Sequence, residues 1–148
     1  MPLVRFLPTH GSGVSMEVLV LGRTVAALAL GAAFVWIGVQ HFVDPAWFEP
    51  IVPAVLGAPR FWVLASGVAE IAVGLALIVP ATRAYGGLAC AALLVVLYWA
   101  NLYMWVENVP LDGKTYANVW HVVRLLIQLG LIAASLFIAG ELRPTSDA

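Results

Sequence analysis

The stretch "SGVAEIAVG", residues 66–74, decides how this chain is read. It lies inside an apolar run from Phe61 to Val79, and Glu70 is the one acidic group there. A run of that length and character is what a helix needs to cross a bilayer, which takes about 20 mostly apolar residues. A carboxylate in the middle of such a run must face the interior of a helix bundle and find a partner there.

The rest of the chain has the same character. Of its 148 residues, 63% are hydrophobic and 10% charged, with a mean hydropathy of +0.99. Soluble domains carry roughly 25% charged residues. So little charge cannot cover a water-facing surface, and the chain reads as an integral membrane protein. A formal net charge of −1 gives no electrostatic footprint for nucleic acid. One cysteine, Cys90, excludes an intramolecular disulfide and a Cys-x-x-Cys pair, and its setting in "LACAALL" marks it as a packing thiol. No Asn-x-Ser/Thr sequence occurs.

Three further segments match the first in length and apolarity: about Val18–Val39, Tyr85–Val106 and Asn118–Ala139. Helices are expected, because every backbone polar group must be satisfied within lipid. The short connections favour antiparallel neighbours. The expected fold is all-α, a polytopic membrane four-helix bundle with a short proline-rich interfacial segment between helices 1 and 2. Residues 1–16 read as a flexible tail, 17–140 as the membrane domain and 141–148 as a C-terminal tail. The first span is too long, and too poor in a cleavage pattern, for a signal peptide. Met16 opens it directly and is a second candidate for the start of translation.

The Lys/Arg bias orients the spans. Arg5, Arg23, Arg83 and Arg143 fall on the side of the termini, against Arg60 and Lys114 on the other. Both termini are therefore expected in the cytoplasm, with the chain in the inner membrane. All six tryptophans (Trp36, Trp47, Trp62, Trp99, Trp105, Trp120) fall in the outer half. An aromatic belt would populate both interfaces, so the outer half is expected to do more than anchor the chain.

Glu70 lies roughly 14 Å below the outer end of its span at ~1.5 Å rise per residue. Span four places His121, Arg124 and Gln128 at i, i+3 and i+7, on one face. Span three does the same with Tyr98, Asn101 and Trp105, and Ser66 stands one turn above Glu70. The expected layer pairs Glu70 with Arg124, with Gln128 and Asn101 completing the hydrogen bonds. Its candidate ligand-binding residues are His41, Ser66, Glu70, Tyr98, Asn101, His121, Arg124 and Gln128. A buried pair that only fixes helix register is the competing reading. Gly67 and Gly74 flank Glu70 and mark the packing face. His41 reads as a hydrogen-bonded helix end. No HxxxH or HxxE spacing accompanies it, so no metal site is expected.

The segment "QHFVDPAWFEPIVPAVLGAPR", residues 40–60, carries four prolines among large apolar residues. It reads as short helical turns, either an interfacial anchor or a lid over a pocket.

The stretches "QHFVDPAWFEPIVP", "SGVAEIAVGLALIVPATR", "ANLYMW" and "RLLIQ" together resemble the DoxX-like family of small bacterial membrane proteins, from about Gly38 to Gln128. The matching positions are His41, Phe42, Pro45 and Pro53; Gly67 and Glu70; Pro80, Thr82 and Arg83; Asn101 and Met104; and Arg124 and Gln128. Trp99 stands where that family often has proline. The resemblance implies a four-helix membrane bundle. It further implies an accessory subunit of quinone-linked or oxidative-stress complexes, or an assembly or trafficking factor. The same shape resembles sterol-binding and sterol-isomerising membrane proteins.

The leading expectation is a non-catalytic accessory subunit, partnered by the bilayer and by membrane oxidoreductase subunits or copies of itself. It would hold a quinone or other lipid in the outer half, with no covalent cofactor. The alternatives are a membrane enzyme using Glu70 as acid or base, and an assembly factor without a ligand.

Overall fold

The computed structural model describes residues 11–140. Four long helices, α1 (Gly11–Val43), α3 (Pro59–Ile78), α4 (Arg83–Val106) and α5 (Asn118–Ala139), form an all-α bundle. A one-turn helix, α2 (Pro45–Phe48), and two 3-10 turns, Glu49–Ile51 and Ala54–Leu56, fill the first connection. All four long helices are long and apolar enough to cross a membrane, and less than a third of each is buried within the chain. Large apolar side chains such as Val25, Val68, Val95 and Leu126 face outward. Lipid is the solvent that such a surface requires, and the chain is a membrane protein.

Helix α1 is longer than its apolar run. It starts at Gly11, so residues 11–16 are helical rather than part of a tail; the rest of that expected tail, and the expected C-terminal tail from residue 141, lie outside the described residues. It ends at Asp44, which precedes Pro45 and leaves the helical conformation (φ −137°, ψ 70°). Gly57 (φ 56°) and Ala58 (φ 41°) turn the chain into α3, which opens on Pro59. Val79 and Pro80 end it. The connection from α4 to α5 folds on itself through a paired Leu111 and Lys114, with Asp112 and Gly113 both at positive φ between them.

Two pairings organise the bundle. Helix α1 packs most extensively on α3, and α4 on α5. The first rests on glycine. A Cβ on Gly31 would stand 2.7 Å from the Gly74 carbonyl oxygen, and one on Gly38 would stand 2.8 Å from that of Gly67. These antiparallel helices thus touch backbone to backbone at two levels seven residues apart, which only glycine permits. Ala27, Leu30, Phe34, Leu77, Cys90, Leu94 and Ile138 form the core between the two pairs.

At one end of the bundle, arginines cap helices. Arg83 is buried and donates from Nε to the Leu77 carbonyl (3.2 Å), from Nη2 to the Ile78 carbonyl (3.4 Å) and from Nη1 to Thr24 Oγ1 (3.1 Å). Thr82 Oγ1 donates to the Ala76 carbonyl (2.9 Å). The last carbonyls of α3, which a helix leaves unpaired, are thereby satisfied. Arg23 does the same for α5, donating from Nε to the Phe137 carbonyl (3.0 Å) with its guanidinium over the Phe137 ring.

Candidate functional site

The opposite end, where α2 lies, holds Glu70. It faces the bundle interior and is 6% exposed. Its neighbour is not Arg124, as the sequence pattern leads one to expect, but His41 of α1, whose Nδ1 lies 3.4 Å from Glu70 Oε2. The glycine contacts explain the change. Because α1 and α3 meet backbone to backbone, His41 Cβ sits directly over Gly67, one turn from Glu70. Helix α5 packs instead on α4, and its polar face is spent there.

Each residue of that face has its own partner. His121 is buried and stacks on Trp105 (centroids 5.4 Å apart, planes 6° apart). Arg124 donates from Nη1 to Met104 Sδ (3.3 Å) and lies 4.8 Å from the Tyr116 ring centroid. Gln128 donates from Nε2 to the Leu94 carbonyl. The single polar layer expected from the sequence is therefore two clusters: His41, Ser66 and Glu70 between α1 and α3, and His121, Arg124 and Gln128 against α4.

His41 and Glu70 are close without sharing a proton in the structure. His41 Nδ1 lies 2.9 Å from the Ile37 carbonyl, which can only accept, so Nδ1 carries the proton and gives it to Ile37. Glu70 Oε2 is buried with no hydrogen-bond partner among the described residues. Groups of this kind are costly to leave unsatisfied and mark strain, a catalytic role, or a bound water, ion or ligand. The His41 ring stacks on Phe48 of α2 at 3.9 Å, which ties the proline-rich segment to the site. Trp62 Nε1, bonded to the Leu56 carbonyl (3.3 Å), fixes the segment's far end to α3.

Glu70, His41 and Ser66 line a cavity of about 600 Å³. Phe48, Ile51, Val52, Pro53 and Leu56 of the connecting segment form one wall, so that segment covers the cavity as well as meeting the surface. Leu93, Val96, Leu97 and Trp99 of α4 form another. Val96 and Trp99 also face outward, which puts the mouth on the apolar flank of the bundle. A second cavity of about 510 Å³ lies beside it, lined by Gln40, Asp44, Met104, Leu111 and Arg124. Ile37, Phe48, Ile51 and Asn101 line both. Of the remaining candidates, Tyr98 of α4 lines neither of these two cavities.

No three His, Cys, Asp or Glu side chains gather among the described residues. Sequence reasoning missed the pairing of His41 with Glu70, although a signal was present: Gly31 and Gly38 have the same seven-residue spacing as Gly67 and Gly74.

No curated protein and no solved structure matches the chain. Residues 30–139, which include every residue lining the two cavities, match the family model described as Domain of unknown function (DUF8561), and the chain belongs to that family.

Proposed function

We propose that this protein binds a lipophilic molecule in the cavity under α2 and serves as a non-catalytic accessory subunit of a redox or envelope-maintenance system. The observation that carries the reading is the buried, incompletely bonded carboxyl of Glu70 in a mostly apolar cavity. Binding sites for small molecules combine an apolar lining with a few placed polar groups, and ionisable residues at membrane depth are functional by default. A mouth on the apolar flank suits a ligand arriving from the bilayer.

The resemblance to DoxX-like proteins supports a quinone or lipid as ligand and membrane oxidoreductase subunits as partners. The Lys/Arg bias supports an inner-membrane protein with cytoplasmic termini and the cavity in the outer half. Arg124, which lines the second cavity, is not the ligand's anchor in this reading.

Native mass spectrometry of protein extracted gently from its own membranes tests the proposal. A small molecule retained by the wild type and lost in Ala65→Trp supports it, because Ala65 is an exposed residue on the cavity wall and the larger ring fills the space. Protein recovered empty, with oxidoreductase subunits attached, would leave an accessory subunit without a ligand. The His41–Glu70 juxtaposition favours one further reading, an enzyme using Glu70 as acid or base. Turnover of a lipid-like substrate by the purified chain, abolished by Glu70→Gln, is its signature.

A further inference from the structure

Three of the polar side chains that line the cavity, all but Asn101, share one property: each has an acceptor to offer. Glu70 Oε2 accepts from no donor among the described residues. Ser66 Oγ spends its proton on the Val63 carbonyl (2.9 Å), which leaves the hydroxyl oxygen to accept. His41 spends its Nδ1 proton on the Ile37 carbonyl, so in the neutral ring Nε2 is a bare acceptor. Three acceptors from two helices thus line one apolar cavity.

We infer that this cavity selects a lipophile whose head is a hydroxyl, held by donation to Glu70, with Ser66 and His41 as the flanking acceptors. The inference rests on the proposed ligand-binding role and names the ligand's chemistry. A head bearing only carbonyl or ether oxygens, such as a quinone, has the Asn101 amide to accept from but brings no donor to Glu70, which it leaves unsatisfied. An ammonium head could also donate, but a charge would have to travel to the depth of Glu70, eleven residues or ~16 Å along α3 from Pro59, and charges are expensive there. A neutral hydroxyl meets the same need without that expense. Trp62 and Trp99 of the lining suit a flat or aromatic body behind the head.

The test is binding of para-nonylphenol, its methyl ether and para-nonylbenzylamine to the full chain in nanodiscs, corrected for partition into protein-free nanodiscs. The phenol should bind at least about tenfold more tightly than the ether, because the ether leaves a buried acceptor unpaired. In Glu70→Gln that ratio should fall to about twofold, since an amide can also donate. Ser66→Ala, which removes only the hydroxyl, should lower it by about threefold. Equal binding of phenol and ether to the wild type overturns the donor selectivity while the ligand-binding role survives. Binding of none of the three overturns that role itself. Preference for the amine overturns the choice of a hydroxyl.

Discussion

The two ends of the bundle each bury an ionisable side chain, and they treat it in opposite ways. At one end Arg83 is surrounded by acceptors: two carbonyls from the end of α3 and the Thr24 hydroxyl from α1. At the other, Glu70 has a histidine beside it whose proton is turned elsewhere, and one of its oxygens accepts nothing. The Arg83 end lets its charge complete the backbone hydrogen bonding of a helix terminus, which is a structural use. The α2 end places its carboxyl in a cavity wall, with His41 3.4 Å away and no hydrogen bond to Oε2. Burial of a charge alone does not separate a site from a brace; the state of its hydrogen bonds does.

The contrast is broken most directly by removing Arg83. Arg83→Ala should lower stability by about 3 kcal/mol, because it takes three hydrogen bonds to a charged group and strands the α3 carbonyls. The thermal midpoint in detergent measures this, and binding of a cavity ligand by the folded fraction should not change. An Arg83→Ala protein as stable as the wild type would remove the structural role assigned to that end.

Glycine substitutions sharpen the comparison. A Cβ on Gly74 meets backbone on α1, 2.7 Å from the Gly31 carbonyl oxygen and 2.9 Å from the Val35 nitrogen, so Gly74→Ala should cost about 2 kcal/mol by forcing the helices apart. Gly67→Ala meets His41 Cβ at 2.8 Å. It should cost a similar amount and, by displacing His41, also weaken ligand binding several-fold. If both variants weaken binding equally, the two levels of contact do not act separately. Thr24→Val should have a smaller effect, about 1 kcal/mol, since it removes one acceptor from Arg83 and leaves two.

Much of this architecture is legible in the sequence. The four spans follow from apolar length, and the short connections give an antiparallel bundle. The need of Glu70 for a bundle-facing position follows from its depth. Periodicity shows which residues share a face within one helix, as His121, Arg124 and Gln128 do. It does not show which helix that face meets, because that is decided by how closely two backbones approach. Here paired glycines draw α1 onto α3, so His41 reaches Glu70 and Arg124 does not. The capping roles of Arg23 and Arg83 were hidden for a similar reason. Their acceptors are backbone carbonyls at helix ends, which carry no signature in the side-chain sequence.

The smallest effect on stability belongs to the residue with the largest effect on binding. Glu70→Gln keeps the shape of the side chain and removes an ionisable group that the fold satisfies incompletely. A buried polar group without a hydrogen-bond partner opposes folding rather than supporting it. The thermal midpoint of Glu70→Gln should therefore match or exceed that of the wild type, while its phenol-to-ether selectivity falls. A register pin makes the reverse prediction, a stability loss comparable to that of Arg83→Ala with ligand affinity intact. Measuring both quantities on the same two variants decides between a site and a brace at the α2 end, because no single role for Glu70 gives both patterns.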